Sequence, residues 1–395
     1  KETEHFVSDV HGEYEQFLHI LKTGSGAIRN KIEDVFGNTL CARDKKSLAA
    51  LIYYPEQKVE RMRLEMSEED FQDWYKVSLH RLIAVCKESS AKYTRSQLRK
   101  SLPPDFSYIL EELLSENNRV VEKEEYYNEI FDTIIRLNRA KEFIVAIAGV
   151  IQKLVVTRLH VIGDIFDRGK DVPQIFWLFY KLEEEAAKAG GHVSFILGNH
   201  EPMVLANDLR YTKEKYKILA EKLKMEYPRL FGPDTELGRW LGTRNTMQMI
   251  GNDLYVHAGL GKDFYDKNLS IPTVNEEMSK GLFMTKKERK ALSPLTAFLY
   301  GNSGPIWYRG LVRTDGKYNP LAKDSLEMIM DRYKAKHIIV GHTIFKDIST
   351  FYNGKVIGVN VDNKENREKK RGRAMLIENN QYFVVGDKGI QRQLE

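Results

Sequence analysis

The stretch Leu159-His160-Val161-Ile162-Gly163-Asp164-Ile165-Phe166-Asp167-Arg168-Gly169 decides how this chain folds. A short run rich in apolar and β-branched residues ends at a glycine, and two carboxylates and an arginine follow at once. Such a run reads as a buried central strand. In α/β folds, ligands bind in the crevice beyond the carboxyl ends of such strands. The same order recurs along the chain. His5-Phe6-Val7 leads into Asp9-Val10-His11-Gly12, and Val193 to Leu197 leads into Gly198-Asn199-His200-Glu201. Leu254-Tyr255-Val256 leads into His257-Ala258-Gly259, and His337 to Val340 into Gly341-His342-Thr343. A lone Asp-x-His or a lone His342 carries little weight, since most such residues cap turns or face water. Five in order, each delivering an oxygen or imidazole ligand beside a glycine that lets the backbone turn sharply, do carry weight.

Together these loops supply four carboxylates, four histidines and an asparagine, with no cysteine among them. Mixed nitrogen and oxygen donors suit Mn, Fe or Zn and exclude selection by sulfur. Two such metals sharing a carboxylate clamp both oxygens of an in-line phosphoryl displacement and acidify a water. That chemistry is hydrolytic. No Gly-rich loop ending in Lys-Ser/Thr is present to hold a nucleoside triphosphate.

Composition sets the frame for this chemistry. The 395 residues are 42% hydrophobic and 30% charged, and Gly and Pro number 27 and 11. Collagen, bulk disorder and a disulfide-held miniprotein are excluded. The net charge of +5, from 61 basic against 56 acidic residues, favours anionic substrates without arguing for nucleic acid. Cys41 and Cys86 read as free thiols of a reducing compartment, and no apolar run approaches bilayer length, so a cytoplasmic protein without membrane contact is expected. The chain opens at Lys1 rather than Met, so a segment upstream of it is expected.

Between the first two ligand loops the texture changes. Residues 28–156 are dense in Glu, Lys, Leu and Tyr, with helical apolar spacing over Glu68–Lys87 and Tyr126–Leu154 and a break at Pro103-Pro104. This predicts a helical insertion after the first strand and helix, with residues 1–27 and 157–395 forming the core. The insertion is also a candidate oligomer interface. Its aromatics Tyr53, Tyr54, Trp74, Tyr75, Tyr126 and Tyr127 read as core side chains. Late in the chain, Lys355–Val361, Ala374–Glu378 and Tyr382–Val385 read as antiparallel strands, with Asn379-Asn380 a tight turn. The basic stretch Lys364, Arg367, Lys369, Lys370, Arg371 and Arg373 is diluted by Glu365 and Glu368 and reads as a solvated loop.

The five motifs resemble the signature of calcineurin-like metallophosphoesterases, and the Asp-Arg-Gly and Asn-His-Glu forms resemble the phosphoprotein-phosphatase branch. The resemblance implies an α/β sandwich, two mixed β-sheets flanked by helices, with a dinuclear metal centre between them. Asp9, His11 and Asp164 would hold one metal, with Asp164 bridging and Asn199, His257 and His342 completing the second. His200 would be the general acid, positioned by Asp167, and Arg168 would clamp the phosphate. Arg309 is the preferred second arginine and Arg244 the next choice. Water activated at two divalent ions, with Mn favoured over Fe or Zn, would attack phosphorus directly.

The two halves resemble different relatives. Residues 5–169, including Leu51-Ile52-Tyr53-Tyr54-Pro55 and Lys92-Tyr93-Thr94-Arg95-Ser96, resemble class III bacterial fructose-1,6-bisphosphatases. The second half has Glu201, Met203 to Tyr211, Trp240 to Asn245 and Trp307 to Gly310, and resembles bacterial Shewanella-like protein phosphatases. The residues nearest the phosphate after Asp164 come mostly from that second half, so the expected activity is protein-serine/threonine-phosphatase-like. Fructose-1,6-bisphosphatase is the alternative, and a catalytically inactive binding scaffold the second alternative. The expected partner is a phosphorylated protein or sugar bisphosphate. Ile344 stands where nucleases of the superfamily place a second histidine, which counts against diester cleavage.

Overall fold

The computed structural model describes residues 3–115, 121–155, 158–188, 190–313, 315–362, 365–366, 369, 372–386 and 388–394. Eleven strands are described, in two sheets. They are β1 (Thr3–Val7), β2 (Arg158–Ile162), β3 (His192–Ile196), β4 (Met247–Ile250), β5 (Asp253–Val256) and β6 (His337–Val340), followed by β7 (Ser349–Phe351), β8 (Val356–Gly358), β9 (Ala374–Glu378), β10 (Gln381–Gly386) and β11 (Gly389–Leu394). One sheet has the order β11-β10-β9-β1-β2-β3 and the other β4-β5-β6-β8-β7. In the first, β1, β2 and β3 run parallel and β9 to β11 pair antiparallel. In the second, β5, β6 and β8 run parallel between antiparallel edges. Both sheets are therefore mixed: the parallel strands lie between the antiparallel edges in the second sheet and at one end, with β3 as the edge, in the first.

The sheets bury a shared apolar layer that includes Phe6, Ile162, Ile196, Tyr255, Ile339, Ile357 and Met375. The rings of Phe6 and Tyr255 stack across it at 4.9 Å. Helices cover the outer faces: Phe17, Phe176 and Phe179 pack outside the first sheet, and Phe264, Leu299 and Ile329 outside the second. This layering follows from the strand alternation, in which Leu159 and Val161 face outward while Ile162 faces the inter-sheet layer.

Between β1 and β2 lies a run of helices from Ala27–Phe36 to Ala140–Val155, sharing an apolar cluster of their own. Local chemistry sets their ends. Ser67 accepts from the Asp70 amide to start the helix Glu68–Ser90, and Thr94 with Gln97 forms a capping box. Pro103-Pro104 separates the helix Arg95–Ser101 from Ser107–Ser115, and Asn138 at φ +56° breaks Val121–Arg136 from Ala140–Val155. Tyr53, Tyr75 and Tyr127 are buried in this cluster, while Tyr126 is exposed.

The tail differs from its sequence reading in one respect. β9 and β10 form the expected hairpin through Asn379 and Asn380, both left-handed at φ +53° and +60°, as a type I′ turn needs. The stretch at Lys355–Val361 instead contributes β8 to the other sheet, parallel to β6. Its Val356 and Ile357 fill both faces of that sheet, a role that burial rather than sequence proximity assigns. In the basic stretch, Lys369 pairs with Glu365, whereas positions 364, 367, 368, 370 and 371 lie outside the described residues.

Candidate metal centre

β1, β2 and β3 in one sheet and β5 and β6 in the other end at a common edge, and their following loops meet there. These loops are tightly wound. Asp9, His11, Asp164, Asp167, Arg168 and His342 all have φ between +45° and +70°, a region that costs a side-chain-bearing residue about 1–2 kcal/mol. Backbone bonds hold the strain: the Asp9 amide donates to Gly163 O, His11 to Asp164 O, and Arg168 to Tyr211 O. The glycines are needed for close approach. Gly163, at φ +87°, has no room for a Cβ against His257 Nδ1, and a Cβ at Gly198 would strike the Asp164 carboxylate.

Asp164 is the focus. Its Oδ1 accepts from the His200 amide at 2.9 Å, while its Oδ2 lies 3.1 Å from His257 Nε2 and 3.9 Å from His11 Nε2. It belongs to two sets of potential ligand atoms, one with His11 and His200 and one with His257 and His342, each set spanning no more than 4.8 Å. Asp9 Oδ1 lies 3.7 Å from His11 Nε2, and Asp9 Oδ2 accepts from the His342 amide at 3.1 Å. Asn199 Oδ1 lies 3.1 Å from His257 Nε2.

The donor chemistry fits a divalent cation. His11 Nδ1 faces Phe166 O at 2.8 Å and His257 Nδ1 faces Ile162 O at 2.7 Å, so each ring donates there and turns an Nε2 lone pair inward. For His257 that lone pair meets two oxygens, from Asp164 and Asn199, and the crowding is relieved only by a proton or a metal. Burial opposes the imidazolium, yet Asp164 raises its pKa to about 9. His342 Nε2 is buried without a hydrogen-bond partner among the described residues, as a ligand atom for a cation would be. Burial, then the Asp164 charge, pushes the Asp9 carboxyl up to about 7. Burial also disfavours the Asp164 charge, but His257, His200 and His11 hold its carboxyl well below the usual range.

The remaining expected residues divide. His200 Nδ1 bonds Asp167 Oδ2 at 2.7 Å, and Thr212 donates to Asp167 Oδ1 at 2.7 Å, so the carboxylate is held from both sides. Burial works against protonation of His200, but Asp164 and Asp167 raise its pKa. Its ring packs on that of Tyr211 at 5.3 Å, and the exposed Arg168 guanidinium lies over the same ring at 5.7 Å. Arg309 adjoins Tyr308, whose neighbour Trp307 packs on His342 at 5.7 Å, and its charge bears on His342. Arg244 is committed elsewhere. Its Nη1 pairs with Glu183 at 2.7 Å and its guanidinium covers Trp240, outside the cluster of ligand loops. The Thr-Arg-Asn context gave no sign of the Glu183 partner, which lies 61 residues away.

Glu201 has a part in the centre that its sequence position does not disclose. Fully buried, it accepts from four backbone amides: Gly198 at 2.7 Å, Asp164 at 3.1 Å, Ile165 at 2.8 Å and Phe166 at 3.3 Å. It thereby joins the loop after β3 to the loop after β2. Only its place in the Asn-His-Glu triplet marked it.

Comparison with known proteins agrees with this architecture. Residues 132–344 match the family model described as calcineurin-like phosphoesterase, the class that the two sheets and their shared edge define. Residues 1–217 match the model described as Firmicute fructose-1,6-bisphosphatase. The chain belongs to both families, its second and third motifs lying where the two matches overlap. A protein of Clostridium acetobutylicum named fructose-1,6-bisphosphatase class 3 is 57% identical over 201 residues, 51% of this chain and 29% of that protein. One of Clostridium botulinum with the same name is 56% identical over 192 residues, 49% of this chain and 28% of that protein. The chain thus spans under a third of these relatives' length. Among solved structures, a cold-active protein-tyrosine phosphatase of a psychrophilic Shewanella is 34% identical with a TM-score of 0.55, covering 60% of this chain and 69% of that one.

These relatives overturn the protein-serine/threonine-phosphatase reading. At 56–57% identity, the curated relatives carry the sugar-bisphosphatase name. The motifs that suggested the other substrate do not by themselves select one, since a shared fold and its signature residues host many substrates. Among the described residues, no helix is long and apolar enough to cross a membrane.

Proposed function

We propose that this chain is a dinuclear-metal phosphomonoesterase that cleaves a sugar bisphosphate, with fructose 1,6-bisphosphate yielding fructose 6-phosphate and phosphate. The observation that carries the chemistry is Asp164, common to two sets of ligand atoms within 4.8 Å. The substrate follows from the names of the 56–57% identical relatives. Asp9, His11 and Asp164 hold one ion, and Asp164, Asn199, His257 and His342 the other. This mixed set of oxygen and imidazole donors suits manganese, iron or zinc, and manganese is the ion we favour. When bound, the two ions polarise the phosphoryl oxygens and acidify water.

The protein's own groups do the rest. His200, its Nδ1 fixed by Asp167, gives the Nε2 proton to the departing sugar oxygen, the duty of a group whose pKa a carboxylate has raised. Arg168, propped on Tyr211, and Arg309, beside His342, clamp the phosphoryl oxygens in the forked geometry that lysine cannot supply. Glu201 keeps the two ligand loops in register. Phosphate release from fructose 1,6-bisphosphate under Mn, Fe or Zn, with Asp164→Ala as the blank, tests the assignment. Release above the blank, greatest with manganese, is expected. Two bound metals with no release would refute the substrate.

A further inference from the structure

A cavity of about 360 Å³ opens beside the centre, with Asn199 and Trp307 in its wall. Both residues also touch the ligand cluster, Asn199 through His257 at 3.1 Å and Trp307 through His342 at 5.7 Å. The cavity therefore shares two wall residues with the proposed metal centre. Its volume is in the range that takes a small metabolite.

Its charge is one-sided. Arg210, Lys286, Arg289 and Lys290 line it against a single carboxylate, Asp208, which Arg210 engages at 2.7 and 2.8 Å. Lys286 and Lys290 sit four residues apart on the helix Lys286–Leu292, on one face, and neither forms an ion pair with a described residue. Arg289 is the telling group. It is only 8% exposed, stacks over Tyr300 at 3.8 Å, and donates to the carbonyls of Gly281, Leu282 and Pro202. Among the described residues no carboxylate stands within salt-bridge reach of it. A buried cation without a counter-ion is costly. One that lines a cavity between two free ammonium groups is arranged to receive an anion.

We propose that this cavity seats the non-reacting phosphate of a bisphosphorylated small substrate, with Arg289, Lys286 and Lys290 as its counter-charges. This rests on the sugar-bisphosphatase reading and adds the means of selection. The scissile phosphate lies at the ligand loops, and the second phosphate reaches past Asn199 into the basic cavity. A monophosphate fills only the first place.

The test is competition against p-nitrophenyl phosphate hydrolysis by the metal-loaded full chain, giving inhibition constants for fructose 1,6-bisphosphate and fructose 6-phosphate. The bisphosphate should bind about tenfold or more tightly, and Lys286→Ala with Lys290→Ala should narrow that ratio roughly tenfold. Arg289→Gln should narrow it further. Should that buried substitution fail to fold, the exposed lysine pair still decides. A wild-type ratio near one, or a ratio that the double substitution leaves alone, overturns the inference. A bisphosphate that competes through the lysines without being hydrolysed supports the cavity while sinking the proposed reaction. Hydrolysis with a ratio indifferent to the lysines does the reverse.

Discussion

Replacing Glu201 with glutamine tests whether the centre depends on a carboxylate that touches no ligand side chain. The carboxylate spends each oxygen on two amides: Oε2 on Gly198 and Asp164, Oε1 on Ile165 and Phe166. Glutamine has one acceptor oxygen. Its amide nitrogen must then face two buried N–H groups, and turning it toward Ile165 and Phe166 sacrifices the pair with the longest bond, 3.3 Å. Two unsatisfied buried amides cost about 1–3 kcal/mol each, so E201Q should lose about 2–6 kcal/mol. The melting temperature should fall by roughly 2–7 °C. The loss has a direction as well as a size. Asp164 is the proposed shared ligand, and the Phe166 carbonyl orients His11, so loosening this loop should weaken metal binding tenfold or more on titration. Burial, then Asp164, raises the Glu201 pKa, whereas the amides of Gly198 and Ile165 oppose that rise. Were Glu201 neutral in the native state, glutamine would mimic it. E201Q with unchanged melting temperature and metal affinity would therefore refute the reasoning.

Two further outcomes are expected. His200→Ala should retain both metals while turnover falls by about a hundred- to ten-thousand-fold, measured by elemental analysis beside kcat, and equal loss of metal would return His200 to the ligand set. Acid should destabilise the fold through His160, whose pKa burial, with His192 and Arg158, lowers to about 3. The unfolded chain then binds a proton that the native chain refuses between about pH 6.5 and 3. This stability is complete above pH 6.5 and is lost as pH falls, at up to about 1.4 kcal/mol per unit. His160→Gln, able to keep the 2.5 Å contact with Ser194, should flatten the urea midpoint against pH by that amount, and an unaltered slope would place the titration elsewhere.

Much of this was legible in the amino acids because strand-then-ligand is a local pattern. A buried parallel strand must be apolar and short, and the loop at its carboxyl end must turn at once, so glycine, carboxylate and histidine fall together in five short blocks. The Asn379-Asn380 turn is equally local, since both residues tolerate the left-handed conformation it needs. β11 left no such trace. In Gly-Ile-Gln-Arg-Gln-Leu only the ends are buried, so no apolar alternation announces a strand, and pairing with β10 alone defines it. The assignment of β8 to the second sheet was equally invisible, because period-two sequence reports burial and not which neighbour supplies it.

Sequence by itself determined which residue types stand beside each strand end and in what order, and hence the class of chemistry. Tertiary structure alone decided how those side chains are used. His257 donates to Ile162, 95 residues away, which turns its other nitrogen inward, and Glu201 ties Asp164 down from 37 residues away. Arg244 spends its charge on Glu183, and Arg289, with no carboxylate in salt-bridge reach among the described residues, lines the cavity that Asn199 also lines. The physical reason is common to all four. A side chain's role depends on where its hydrogen bonds and charge are satisfied, and those partners come from distant segments that only the folded chain brings together.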